Sequence, residues 1–181
     1  MAVVSVTPEE FTVVLFHASD IAVLADKIAT MIGLPADTPI TVRIDEPSLL
    51  QRVRLSSMSP ITLDIEGAAL EDPKKLREFS ANQAENIFGR LLFQAHDRLQ
   101  STFSDAPDHD KLSNAHACAW DTYSAGRSER IGIDVPKARH LYAFRNRHTF
   151  SDQSDAAFDR LWSATNLTWA DITTASDSAN Q

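Results

Sequence analysis

The chain carries a single cysteine, Cys118, in 181 residues. One thiol cannot form an internal disulfide, so a reducing compartment is expected. No histidine stands four residues from Cys118, and a nucleophilic thiol needs a base within reach and a lowered pKa. Glycine is scarce as well, with five residues. Loops that cradle phosphate need glycine, and none of GxGxxG, GxxxxGK[ST] or GxSxG occurs. The zinc-helix pattern HExxH is missing too. No apolar run is long enough to span a membrane, and the opening MAVVSVTPEEF has neither the basic region nor the apolar core of a secretory leader. Positive charge is in deficit: 17 Lys and Arg stand against 25 Asp and Glu, leaving a net charge of −8 and a pI near 5.1. A protein that coats nucleic acid draws most of its affinity from phosphate neutralisation, so this balance argues against general nucleic-acid binding. There is no internal repeat and no low-complexity block. These absences together predict a soluble cytoplasmic protein.

What is present is enough apolar content, 43%, for a core in a single domain. The longest periodic stretch runs from Asp72 to Phe103. At about 100° per residue, Ala84, Ile87, Phe88, Leu91, Leu92, Ala95 and Leu99 share one side. Asp72 would cap this helix and Pro73 would occupy its first position. Unbroken from Lys74 to Phe103 it would be roughly 45 Å long at about 1.5 Å per residue. Upstream, Phe11 to Phe16 is β-branched and apolar and reads as a buried strand. Ser19 or Asp20 opens a helix to about Ile32, stopped by Gly33. Alternation over Pro39–Glu46, Gln51–Ser56 and Ile61–Glu66 predicts three more strands, the last two a hairpin, with a right-handed parallel crossover joining the first two of the sheet. Downstream, Asp108 caps a helix to about Ser124 and Gly126 ends it. Pro136 opens another to about Arg147, although HLYAF also suits a strand. Ser151 or Ser154 starts a further helix, and Thr168–Ile172 adds a turn. The expected architecture is α+β: a small mixed β-α-β-β-β sheet over residues 1–70, packed against the long helix. A helical half over 71–173 adds a hairpin and shorter C-terminal helices, and a polar tail over 174–181 is expected to fray.

Two constellations carry possible chemistry. If a tight break joins the two long helices, His96 comes level with His116, and His109 lies two turns along the same face. Helical bundles assemble divalent metal sites from facing side chains of this kind, and zinc hydrolases use three protein ligands with an open position. The spacing does not identify a third ligand: His140 or His148 could reach only if the fold brings it there, and Glu85 lies about three turns from His96. The plainer account is a polar seam between helices. The second constellation is a basic strip. Arg127, Arg130, Lys137, Arg139, Arg145 and Arg147 stand against only Glu129 and Asp134, with Tyr142 and Phe144 interleaved. Arginines beside aromatic rings suit carboxylate or phosphate groups, whereas the plainer account is pairing with acids or a solvated face. Trp120, Trp162, Trp169 and Phe158 are expected in the core, and the Ser151–Asp155 run as helix capping.

Three functions follow. The first is a non-catalytic protein binding an anionic small molecule or a protein partner through Arg139, Tyr142, Arg145 and Arg147, with no cofactor. The second is a metal-dependent hydrolase on His96, His116 and His109. The third is a structural or oligomer-forming module, such as a homodimer, whose helical half is the interface.

Overall fold

The computed structural model describes residues 2–180, so Gln181 of the expected tail lies outside the described residues. The chain falls into two compact units, Met1–Ala95 and His96–Gln181. The step between them lies inside a helix rather than at residue 70.

The first unit is built on a four-stranded mixed sheet of order β1-β2-β4-β3. β1 is Val3–Thr7, β2 Pro39–Asp45, β3 Val53–Met58 and β4 Ile61–Glu66. β1 runs parallel to β2, and β2 parallel to β4, while β3 and β4 form the expected antiparallel hairpin. Helix α1, Ala18–Ile32, is the crossover between β1 and β2. Gly33 ends it at φ 82°, and its amide bonds to the carbonyls of Ala29 and Thr30; only glycine takes that conformation without strain. The alternation read from the sequence places Ile40, Val42, Ile44, Leu55, Ile61, Leu63 and Ile65 on the buried side of the sheet.

Two expectations in this unit are corrected. Phe11–Phe16 is not a strand. Among the described residues its one β-bridge joins Leu15 to Glu78, and the sheet begins with Val3–Thr7 instead. What holds residues 12–14 is the buried carboxylate of Glu46, which accepts the amides of Thr12 at 2.5 Å, Val13 and Val14 at 3.0 Å. Three amides on one carboxylate hold its pKa below the ordinary value, the Val13 bond contributing most. A period count cannot see this, because the ordering group lies over thirty residues away in sequence.

The second correction is the start of the long helix. Residues 71–79 form a two-stranded ribbon, β5 Glu71–Asp72 and β6 Lys75–Phe79. Asp72 accepts the Lys74 amide at 2.8 Å, a local turn around Pro73 rather than a helix cap. Helix α2 spans only Ala81–Arg98, and Ser80 Oγ accepts the Gln83 amide at its start. The expected stripe is present where the helix is: Ala84, Ile87, Phe88, Leu91, Leu92 and Ala95 are buried. Lys27 of α1 pairs with Glu85 of α2 at 3.1 Å, which brings the two helices together at that point.

The second unit is helical. After α2, residues 99–113 hold two short 3-10 turns, Ser101–Phe103 and His109–Lys111, in place of the expected tight break. Helix α3, Asn114–Arg130, is capped by Ser113, which accepts the His116 amide at 3.1 Å, so Asp108 is not its cap. α3 packs on α4 Lys137–Arg147, α5 Asp152–Ser163 and α6 Trp169–Ser178. Gly126 lies within α3 rather than stopping it. A Cβ there would sit 2.0 Å from the Trp162 carbonyl oxygen, so its role is close approach to α5. Arg130 seals the same junction by donating to the carbonyls of Trp162, at 2.6 Å, and Ala164. His140–Phe144 is helix. Residues 174–180 are not a frayed tail: α6 continues to Ser178, and Ala175, Ser176 and Ala179 are buried. Trp120, Phe158, Trp162 and Trp169 are buried as expected.

Candidate functional site

The helical unit contains most of the polar residues singled out from the sequence, and it distributes them differently. Asp97, in the last turn of α2, is a buried hub. Its carboxylate accepts the Trp120 indole N–H at 2.8 Å and both Arg127 terminal nitrogens, at 2.7 and 2.5 Å. The Arg127 guanidinium lies 3.8 Å from the Tyr123 ring centroid. Four partially desolvated groups thus satisfy one another, the condition under which a buried charge is tolerated. The tyrosine continues the network: its hydroxyl donates to the Thr165 carbonyl at 2.9 Å and accepts the Leu167 amide at 3.1 Å.

The three histidines expected at a metal seam are not assembled into one site. His109 Nδ1 accepts from Arg98, at 3.2 Å from Nε and 2.9 Å from Nη2, and its ring packs 5.5 Å from Trp120. Burial, followed by the Arg98 cation, pushes its pKa down to about 4, so the ring is neutral at pH 7. His116 meets Asp177 of α6 at 3.0 Å and stands edge-on to Trp169. His96 has a buried Nδ1 with no hydrogen-bond partner among the described residues. The further candidates are engaged elsewhere. His140 lies 3.5 Å from Asp121, and His148 bonds to Ser176 Oγ and the Phe144 carbonyl. Burial lowers the His148 pKa. Among the described residues no group of three or more His, Cys, Asp or Glu is placed to hold a metal ion. The reason is the connection through residues 99–113: without the tight bend, the register that levelled His96 with His116 is lost.

His148 and Ser176 have the spacing of a nucleophile and its base, 2.8 Å. Ser176 is fully buried, however, so its hydroxyl offers no face to a substrate. This pair, with Thr149 Oγ1 donating to the Ala179 carbonyl at 3.1 Å, anchors the end of α6.

The basic strip divides in two. Arg127 and Arg130 are consumed inside the unit. Lys137 pairs with Asp159 at 3.2 Å, and Arg145 forms a two-pronged pair with Asp155, 2.7 Å from Nε and 2.5 Å from Nη2. That pairing raises the Arg145 pKa and lowers that of Asp155, each because of the other. Arg139 and Arg147 remain exposed on α4. The expected quartet does not converge: Arg139 and Tyr142 are neighbours at one helical step, Arg145 turns to α5, and Arg147 falls on the opposite flank by the helical period.

What the sequence reading missed is Phe150. It follows α4 and meets Tyr142 edge to face, with ring centroids 6.2 Å apart. Tyr142 is 62% exposed and Phe150 64%. The side of α4 that faces solvent therefore presents two adjoining rings, with Arg139 one turn before Tyr142 and no acidic residue within Lys137–Arg147. Phe150 sits between Thr149 and Ser151, outside any periodic run, so no pattern could flag it. By the helical period Asp97 falls outside the apolar stripe of α2, so the count alone gives it no place in the core. A usable signal was Trp120 and Arg127, two turns apart on one face, which need a shared acceptor.

Among the described residues no helix is long and apolar enough to cross a membrane. Compared with protein-family models, with curated proteins and with solved structures, the chain matches none of them.

Proposed function

We propose that this chain is a non-catalytic binding protein, and that the exposed side of α4 docks an acidic segment of a partner protein. One observation carries the reading: two adjoining aromatic rings, Tyr142 and Phe150, are left largely in solvent beside Arg139. Buried aromatics and arginine dominate the binding energy of protein interfaces, and exposed rings side by side are a disproportionate use of surface unless something covers them. Lys137 and Arg145 already have carboxylate partners, so the cations left for a ligand are Arg139 and Arg147. One cation beside a ring pair, with Arg147 set apart on the other flank of the helix, favours an acidic segment with apolar side chains over a bare small anion, which would want convergent arginines.

The test is selection of peptides from a random display library on the full chain. The selected peptides are then measured by calorimetry against the wild type, Tyr142→Ala, Phe150→Ala and Arg139→Ala. The expected consensus is rich in Asp and Glu with one or two apolar positions, and each ring truncation should weaken binding by about tenfold or more. Peptides without acidic enrichment, or binding that all three variants retain, would refute the assignment. Stabilisation by phosphate or citrate that is lost in Arg139→Ala and Arg147→Ala would point to a small anion instead.

A further inference from the structure

β1 is an end strand of the first unit's sheet. Val3 N–H donates to the Thr38 carbonyl at 3.2 Å, and the parallel register pairs Val3 with Pro39, Ser5 with Thr41 and Thr7 with Arg43. In a parallel ladder alternate residues bond to the neighbour, so Val3, Ser5 and Thr7 face β2, and the N–H and C=O of Val4 and Val6 point out of the sheet. Ala2, the next residue of the outward row, is already occupied, its amide donating to Asp26 at 2.7 Å. Pro8, at the other end, has no N–H to offer. The free row is therefore Val4 and Val6, and among the described residues neither has a backbone partner. Natural edge strands are usually protected by charge, by a bulge or by cover. β1 reads Val-Val-Ser-Val-Thr, without a charged side chain, and Val3 is 63% exposed.

We propose that β1 pairs antiparallel with β1 of a second copy of this chain, across a two-fold axis through Ser5, to make one continuous eight-stranded sheet. The row is complementary to itself. With Ser5 opposite Ser5, Val4 stands opposite Val6 of the second copy and exchanges both hydrogen bonds with it, and Val6 does the same with Val4. The pairs on the solvent face are Val3 with Thr7 and Ser5 with Ser5, so no like charges meet although the chain is net acidic. An isologous contact of this kind closes at two copies. The opposite edge, β3, is unlike it: it carries Arg54, paired with Asp64 at 3.1 Å. A five-residue edge buries less than the ~1,000 Å² of a strong interface, so the dimer is weak, with a Kd of roughly 10–500 µM.

Sedimentation of the full chain from about 5 to about 500 µM tests this. The expected result is a rise toward twice the monomer mass, with slower exchange of the Val4 and Val6 amides at the upper concentration. Val3→Lys and Ser5→Lys, both at exposed positions, set ammonium groups around the axis and should weaken association at least tenfold with unchanged circular dichroism. A monomer throughout overturns the proposal, as does a dimer that both variants form equally well. Should Ser5→Lys fail to fold, Val3→Lys alone decides. The α4 surface plays no part, so failure of one proposal leaves the other standing.

Discussion

Removing the Asp97 carboxylate should unfold the helical unit more readily than any other single polar change in it. The side chains of Asp97 and Arg127 are 4% and 11% exposed, and the carboxylate accepts three hydrogen bonds. Asp97→Ala takes away the carboxylate to which both Arg127 terminal nitrogens donate and breaks the hydrogen bond of the Trp120 indole N–H. Breaking a buried pair from one side costs about 3–5 kcal/mol, of which about 1–3 kcal/mol is the orphaned neutral donor. Arg127→Met should cost less, because the carboxylate keeps the indole bond and methionine fills part of the arginine volume. The double variant Asp97→Ala with Arg127→Met removes both charges and should cost about 2 kcal/mol less than the two single changes added together. All three tryptophans of the chain, Trp120, Trp162 and Trp169, lie in this unit, so urea unfolding followed by tryptophan fluorescence reports it directly. A loss below about 1 kcal/mol for Asp97→Ala, or strict additivity in the cycle, would show that the carboxylate is solvated and the account of a closed network wrong.

Gly126→Ala should destabilise the same unit by about 2–3 kcal/mol, because the new methyl would lie 2.0 Å from the Trp162 carbonyl oxygen; an unchanged urea midpoint would mean that α3 and α5 do not touch there. His109 titrates at about 4 when folded and 6.5 when free, so the unfolded chain binds the extra proton between those values. Its stabilisation is complete above about pH 6.5 and is lost as pH falls toward 4, by up to about 3 kcal/mol, and His109→Gln should flatten the slope of urea midpoint against pH in that window. In the first unit, Glu46→Gln removes the charge that gathers the amides of Thr12, Val13 and Val14, and hydrogen exchange at those three should quicken by about tenfold or more; unchanged protection would show that the segment is ordered by something else.

Whatever depends on near neighbours is legible along the chain. The stripe Ile21, Ala25, Ile28 with Gly33 behind it makes α1 because those residues lie within a few turns of one another. The alternation from Ile40 to Ile65 makes three strands because side chains on a pleat have a period of two. Ser151 caps α5 by accepting the Ser154 amide, three residues on. The rest emerges on folding, because the partner that settles each case is remote in sequence. Phe11–Phe16 has strand composition but bends to Glu46. Lys75–Phe79 pairs with Glu71–Asp72 instead of extending α2, and Gly126 reads as a stop yet serves as a contact. Four of the six cations in the basic strip find carboxylates or carbonyls from 10 to 34 residues away. A cation's availability to a ligand is set by what already neutralises it, and that is a property of packed helices that no stretch of chain carries alone.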